Sequence, residues 1–197
     1  MVVSHLDHNG AKYRQVVARE ESRAFFIIGP SLGFLSANDY LYERMSIKEL
    51  SVLSESQVKD ILSLMLELDP EINVSSAMLH RAVESSSSHF FAITDTDNHI
   101  TSPDNHIIGC ATLCVFESPT GRKASIEDVV VSSQYRGQGL GKKLMEHVIE
   151  YAKTELKNVD IHLTSRPHRL AANELYKQLG FQQKETNAYV MKVREGE

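Results

Sequence analysis

A glycine-rich turn between a predicted strand and a predicted helix constrains this chain more than any other feature. The turn spans Ser132–Lys143, follows the apolar run 126–131 and precedes a helix-like run at 140–156. Glycines let the backbone approach a ligand closely, and the first N–H groups of a helix have no partner within it. Lys142 and Lys143 add positive charge nearby. The turn therefore predicts a site for the pyrophosphate of a coenzyme.

The spacing within the turn excludes two common phosphate loops. The Walker pattern requires Ser or Thr after Gly-Lys, whereas Lys143 follows Gly141 and Lys142, and Arg136 stands where the pattern needs its first glycine. The dinucleotide pattern G-x-G-x-x-G fails at its last position, which is Lys142. A different class of coenzyme is therefore expected.

Two short motifs resemble a known family. Gln134-x-x-Gly137-x-Gly139 resembles the acyl-CoA signature of the GNAT superfamily of acetyl-CoA-dependent N-acetyltransferases. The sequence Leu-Tyr-Lys-Gln-Leu-Gly-Phe at 175–181 is similar to the Leu-Tyr-x-x-x-Gly-Phe of many members. The motifs occur in the order and at the spacing of the family, and the resemblance covers residues 46–193.

Hydrophobic periodicity predicts the element order βααβββ followed by αβαββ, an α/β (α+β) arrangement. The GNAT resemblance implies a mixed central sheet of about six to seven strands flanked by about four helices. Ser54 and Ser56 are candidate helix caps, and Gly180 is a candidate C-cap. The first predicted strand begins at Met45, and the others cover 89–95, 107–116, 122–131, 159–163, 181–184 and 188–193. The first predicted helix ends at Leu68, and the others cover 76–85, 140–156 and 170–179.

Composition and charge limit the compartment and the partners. Residues 1–44 show no clear period, so we expect an N-terminal extension that is disordered or lies upstream of the true start, with an ordered addition as the alternative, and a GNAT domain at 45–197. The net charge of −5 argues against wholesale binding to nucleic acid or to an anionic membrane. Cys110 and Cys114 are too far apart along one strand to form a disulfide and too few for a zinc site. We therefore expect reduced cysteines, no metal and a cytoplasmic protein.

The resemblance implies which residues contact acetyl-CoA. The backbone of Val129, Val130 and Val131 is expected to run beside the pantetheine arm. The turn that follows is expected to hold the pyrophosphate, through Gln134, Arg136, Gly137, Gln138, Gly139, Leu140, Gly141 and Lys142.

Two carboxylates are candidates for the general base. Glu127 and Asp128 interrupt an apolar strand, and a buried carboxylate is costly unless it has a partner or a task. Alternation places Glu127 on one face with Val129 and Val131, and Asp128 on the other with Val130. Glu127 is the first choice, because burial would raise its pKa usefully, and Asp128 is the second choice. Exposure or a salt bridge is the alternative explanation for Glu127.

The last third of the chain contributes the remaining candidates. The resemblance places Tyr176 near the thioester sulfur, where a hydroxyl could donate to the leaving thiolate, although a core aromatic is the alternative. Thr164, Arg166 and His168 lie in the loop after the fifth predicted strand and are substrate candidates or solvated capping residues. Relatives that acetylate protein N-termini carry Glu where Thr164 stands. Many relatives carry Asn where Arg169 stands.

The sequence thus predicts an N-acetyltransferase that transfers an acetyl group from acetyl-CoA to a primary amine of a small molecule. The expected route is direct attack in a ternary complex. A protein lysine or N-terminal acetyltransferase and a non-catalytic acyl-CoA-binding sensor are the alternatives. No nucleic-acid or membrane partner is expected, and a homodimer stays open.

Overall fold

The computed structural model describes residues 2–6, 12–16, 25–27, 34–36, 45–95 and 106–193. It divides into two compact units, Met1–Leu163 and Thr164–Glu197. The N-terminal strands β1 and β2 pair antiparallel, as do β3 and β4; their bounds are Val2–Leu6, Lys12–Val16, Phe25–Ile27 and Phe34–Ser36. The extension predicted at 1–44 stays a prediction, because most of it lies outside the described residues.

A five-stranded mixed sheet forms the centre of the first unit. Its spatial order follows the chain from β5 to β9, with antiparallel pairing up to β8 and a parallel β8–β9 pair. The predicted meander is therefore confirmed, while the polar turn predicted at 96–105 lies outside the described residues. The strands are β5 Met45–Leu50, β6 Ser88–Asp95, β7 Ile107–Ser118, β8 Gly121–Val131 and β9 Asp160–Leu163.

Four α-helices are described, as the sequence predicted. The Ser54 hydroxyl accepts the Gln57 N–H, and the Gln57 side chain accepts the Ser54 N–H, which forms a capping box at the first helix. Within the described ranges, the helices are too short or too polar for any of them to span a bilayer. The helices are α1 Glu55–Leu68, α2 Ser76–Glu84, α3 Leu140–Tyr151, which a π-helical turn at Ala152–Leu156 extends, and α4 Leu170–Gln178.

The helices of the first unit cover both faces of the sheet. Alternation along β6 sends Phe90 and Ala92 toward α1 and α2, where they join a buried cluster with Ile61. Phe91 faces the other side and packs edge-on against Tyr151 of α3, with ring centroids 5.1 Å apart. Cys110 lies in the first of these cores, and both cysteines are free thiols, as predicted.

The two strands predicted at the C-terminal end do not form. Residues 181–193 contain neither helix nor strand. The apolar side chains of 189–193 that would bury one face of a strand are 85–91% exposed. A strand is stable only with a ladder partner and a buried face, and this segment has neither within the described residues. The sheet of the first unit therefore has five strands rather than six to seven.

Candidate active site

The sheet opens between β8 and β9. The two strands pair from Lys123–Asp160 to Ile126–Leu163, and β8 then continues to Val131. Beyond Ile126, no strand in the described ranges pairs with this edge. The Ser132 N–H donates to the Ile108 carbonyl at 2.8 Å. The backbone N–H and C=O groups of the even-numbered residues at this end of β8 therefore point toward β7. The peptide groups of Val129 and Val131 therefore face the open side.

A β-bulge breaks the alternation of β8 at Asp128. Thr112 of β7 pairs with Glu127 and Cys110 pairs with Val130, so two residues of β8 lie opposite one residue of β7. Asp128 adopts a φ of 53°, in the left-handed region. The prediction that Glu127 and Val130 face opposite sides is therefore wrong, because both lie on the face that α1 and α2 cover.

Both carboxylates are exposed, so the predicted burial of Glu127 is wrong. Both residues follow Ile126, the last residue of β8 that pairs with β9, so the edge of the sheet is open beside them. The Ser125 hydroxyl donates a hydrogen bond to Glu127. Partial desolvation and then the negative charge of Glu127 raise the pKa of Asp128. The raised pKa expected of a base is thus found at the second choice, Asp128.

His162 is a polar residue of this face that the sequence did not single out. Parallel pairing sets it beside Ser125, on the same face as Glu127. Its Nε2 atom is buried and has no hydrogen-bond partner in the described part of the chain. The sequence offered one signal for His162: alternation along the short strand that contains it places its side chain on a face of the sheet.

The glycine turn has the geometry of an anion loop. One 3₁₀ turn at Ser133–Tyr135 leads from β8 into it, and Gly139 ends it as the N-cap of α3. Gly137 and Gly139 have φ values of 78° and 80°, which glycine adopts at little cost. A Cβ on Gly137 would meet no heavy atom within 4 Å, so the loop surface is open there. Gln134 and Arg136 are exposed on the same turn.

The start of α3 leaves polar groups without partners. The first intrahelical hydrogen bond of α3 ends at the N–H of Lys143. The backbone N–H groups of Leu140, Gly141 and Lys142 have no acceptor among the described residues. The buried Oε1 of Gln138 also lacks a partner there. Unsatisfied groups of this kind are costly unless water or a ligand completes them, so the loop is suited to binding an anion.

A carboxylate from α1 holds the upstream end of the loop. Glu67 accepts hydrogen bonds from the Ser133 N–H at 2.6 Å and the Ser132 hydroxyl at 3.2 Å. Arg136 donates to Glu67 at 3.3 Å and to the Val131 carbonyl at 2.9 Å. The guanidinium predicted to contact the coenzyme is therefore engaged with protein groups.

Burial alone would raise the pKa of Glu67, but the hydrogen bonds from Ser133 and Ser132 and the charge of Arg136 together lower it. Glu67 was not predicted from the sequence as a functional residue. The signal was an acid in the last turn of a helix, where the helix dipole disfavours negative charge.

The two lysines after the loop differ in direction. Lys142 is more than half exposed beside the loop, with its ammonium 3.7 Å from Glu146. The ammonium of Lys143 donates to the Met45 carbonyl at 2.8 Å, at the start of β5. Lys142 is therefore the better source of the positive charge that the sequence assigned to both.

In the second unit, the Leu-Tyr-x-x-x-Gly-Phe segment forms the end of α4. The Phe181 N–H donates to the Tyr176 carbonyl and the Gly180 N–H to the Lys177 carbonyl, both at 3.0 Å, with Gly180 at a φ of 93°. This is a Schellman motif, and Tyr176 and Phe181 supply its apolar contact with centroids 6.2 Å apart. Burial raises the pKa of Tyr176, and Arg169 partly offsets the effect. The hydroxyl therefore stays protonated at neutral pH.

The loop before α4 is ordered by Asn173. Its side-chain amide donates to the Arg166 carbonyl at 3.1 Å and to the Pro167 carbonyl at 3.4 Å. Thr164 and Arg166 are exposed. Asn173 thus fixes the backbone of the loop that the sequence selected for substrate contacts, and those contacts stay a prediction.

The mixed sheet with helices on both faces is that of an acyltransferase fold. The sequence model of the Acetyltransferase (GNAT) family matches residues 58–181, and the chain belongs to this family. The acyltransferase class predicted from the two motifs is confirmed by this match.

Individual relatives support the same class. N-acetyltransferase 8B of Rattus norvegicus is 29% identical over 115 residues, which cover 57% of this chain and 51% of the relative. The chain thus spans about half the length of this curated relative. A putative acetyltransferase from Agrobacterium tumefaciens has a TM-score of 0.61 at 21% identity, covering 75% of this chain and 99% of its own. Glucosamine-6-phosphate N-acetyltransferase from Arabidopsis thaliana has a TM-score of 0.56 at 19% identity, covering 75% and 97%.

Proposed function

We propose that this protein transfers an acetyl group from acetyl-CoA to a primary amine of a small molecule, in a ternary complex. One observation carries the proposal: the open edge of β8 leads directly to the glycine loop. Beyond Ile126, the edge offers peptide groups to an extended ligand. At the end of the edge, the loop offers the unpaired N–H groups of 140–142 to an anion.

The loop and the edge fit acetyl-CoA in two respects. The edge suits a pantetheine arm, because its amides can add to a strand as another strand would. The loop suits a pyrophosphate, because the space beside Gly137 is open and the helix N-terminus favours negative charge. Acetyl-CoA would supply an activated thioester at the end of the arm nearest the bulge.

The chemistry assigned to the chain is proton transfer and positioning. The amine nitrogen forms a bond to the acetyl carbon as the carbon–sulfur bond breaks. Glu127, with Asp128 as the second choice, takes a proton from the amine, directly or through water. The donor role of Tyr176 rests on the family resemblance alone: its hydroxyl would give a proton to the departing thiolate, and its raised pKa keeps that proton in place until then. An amine that arrives as an ammonium ion loses two protons: the first passes through the base to solvent before attack, and the second balances the proton that the thiolate gains.

A small acceptor is proposed from the two acids at the bulge and, in the second unit, from the loop before α4. Glu127 and Asp128 present negative charge to a cationic amine before it is deprotonated. Arg166 and Thr164 are candidates for a phosphate or hydroxyl on the acceptor. The fold is shared with an enzyme named for glucosamine-6-phosphate, an amine that carries a phosphate, which makes amino sugars the first acceptors to test.

Coenzyme binding is tested with Gly139→Glu. The new side chain would place a carboxylate where the phosphates should lie, so calorimetry should show no heat with acetyl-CoA. Gly121→Glu is the matched control, because Gly121 also has a positive φ, of 113°, but lies in the β7–β8 turn. The control should share any loss of stability and keep the affinity. Equal affinity in folded Gly139→Glu would refute the coenzyme site.

The acceptor is identified by a screen of amines with acetyl-CoA, read as free thiol released over time. Amino sugars with and without phosphate, polyamines and lysine-containing peptides distinguish the small-molecule proposal from protein acetylation. Turnover with peptides alone would reject the small-molecule acceptor. Tight coenzyme binding without turnover on any class would support the sensor.

A further inference from the structure

We propose that Glu67 is a positioning residue for the coenzyme loop, which it holds in the geometry that binds phosphates. The inference rests on the proposed function. Its basis is the set of hydrogen bonds that one carboxylate accepts from Ser132, Ser133 and Arg136, the residues that join β8 to the two glycines.

The loop needs such an anchor because its centre has little stiffness of its own. Only Gly137, Gln138 and Gly139 separate Arg136 from α3, and both glycines have positive φ. Glycine restricts the backbone less than any other residue. The downstream end is fixed by Leu140, which is 1% exposed and packs in the core. The upstream end is held by backbone hydrogen bonds of Ser132 and Tyr135 and, from outside the loop, by Glu67, so the bonds to Glu67 help to set where the free N–H groups of α3 meet a ligand.

The charge and place of Glu67 argue against a passive surface role. The carboxylate lies beside a loop that is proposed to bind an anion and in the last turn of α1, and both settings disfavour negative charge. Its side chain is 28% exposed, whereas that of Arg136 is 54% exposed. Arg136 offsets the charge and is itself held by the Val131 carbonyl, at the end of the strand that is proposed to carry the pantetheine. The same group of contacts therefore links α1, the edge of β8 and the loop.

A positioning role and a purely electrostatic role predict opposite changes in the affinity for acetyl-CoA when Glu67 is removed. Loss of a carboxylate near a phosphate site would strengthen coenzyme binding if charge alone mattered. Loss of a loop anchor would weaken binding, and only for ligands with phosphates. S-acetylpantetheine is a donor with the thioester and the pantetheine arm but no pyrophosphate, so it should not sense the loop.

The experiment compares Glu67→Ala and Glu67→Gln with Glu71→Gln in the full chain. Glu71 is an exposed acid four residues further along and is the control for loss of charge. Glu67→Ala should raise the KM for acetyl-CoA about tenfold, which corresponds to 1.4 kcal/mol. Its kcat/KM with S-acetylpantetheine should stay within about twofold, and Glu67→Gln, which can still accept from Ser133, should show a smaller effect.

Three results would overturn the positioning role. They are an affinity for acetyl-CoA that rises or stays the same, equal losses with both donors, and an equal effect of Glu71→Gln. If Glu67→Ala does not fold, Glu67→Gln carries the same comparison of donors. A wild-type protein that fails to bind acetyl-CoA in calorimetry would refute the proposed function instead, so the two failures are distinct.

A double-mutant cycle with Arg136→Gln tests whether the two residues act together. If Arg136 serves the anchor, its substitution should cost less in the Glu67→Ala protein than in the wild type. An equal or larger cost would mean that Arg136 binds phosphate independently of Glu67, and the proposed anchor would be wrong.

Discussion

The two motifs that resemble the family differ in what the local structure explains. In the loop at 134–142, the glycines leave three helix N–H groups and the Gln138 oxygen without partners in the described chain. At the end of α4, the glycine and phenylalanine complete a Schellman cap, in which the backbone N–H groups of 180 and 181 are both bonded. The first motif leaves groups that water or a ligand must complete, whereas most of the second is accounted for by helix capping.

This difference shows how a short motif can be read. A glycine with positive φ indicates a ligand site when the backbone N–H groups beside it are unpaired. It indicates a structural cap when those N–H groups are hydrogen-bonded. The capping reading leaves one atom of the second motif unexplained, the Tyr176 hydroxyl, which makes no hydrogen bond within the described residues. The predictions that follow test this division between ligand and cap.

The largest expected effect is that of Tyr176→Phe, which removes the unexplained hydroxyl and keeps the ring against Phe181. The rate constant for acetyl transfer should fall by about 10²–10⁴, the usual contribution of general acid catalysis. The melting temperature and the coenzyme affinity should change little, because the cap and the ring packing remain. Single-turnover kinetics under conditions where chemistry limits the rate provide the measurement.

Tyr189→Phe is the matched control for Tyr176→Phe. It makes the same chemical change in the same unit at a side chain that is 91% exposed, and turnover should not change. If Tyr176→Phe also retained full turnover, the second motif would be wholly structural and the proposed donor would be lost.

A smaller effect is expected at the bulge. Glu127→Gln should lower the rate by about 10²-fold near neutral pH, at the low end of general base catalysis. The loss should shrink at high pH, where the amine deprotonates without help. A pH–rate profile of kcat/KM for the amine checks both points.

Asp128→Asn distinguishes the two acids. Asn tolerates the left-handed backbone of this position, so the bulge should persist. Glu127 should then remain as the base and the rate should fall less than in Glu127→Gln. The reverse order would assign the base to Asp128, whose pKa is raised by desolvation and by Glu127.

Periodicity was sufficient for most of the fold. The candidate caps Ser54 and Ser56 and the helical period after them predicted α1, and the apolar run at 107–116 predicted β7, because capping and burial act over a few residues. The C-terminal strands failed because pairing partners are not encoded locally: the apolar residues at 189–193 look like a strand but remain exposed. Pattern alone shows that a face could be buried and does not show what covers it.

The site was predicted less completely than the fold. The glycines of the loop were found because few residues adopt a positive φ, so their spacing is informative. Glu67 was missed because it contacts a loop 65 residues away, and its distance in sequence hides the contact. The faces of Glu127 and Val130 were wrong because a bulge adds one residue to a strand and inverts the alternation beyond it.

The smallest expected effect separates the two motifs most directly. Gly137 and Gly180 have φ values of 78° and 93°, and a Cβ on either would meet no heavy atom within 4 Å. Alanine at each position should therefore cost a similar free energy of unfolding, about 1–2 kcal/mol for the left-handed backbone. Only Gly137→Ala should weaken acetyl-CoA binding, by about tenfold, because its methyl group enters the space proposed for the phosphates. Calorimetric titration and urea unfolding of the same two proteins measure both quantities. If the two variants lost affinity for acetyl-CoA equally, both glycines would act through stability. The proposal that the loop with Gly137 binds the coenzyme phosphates would then be wrong.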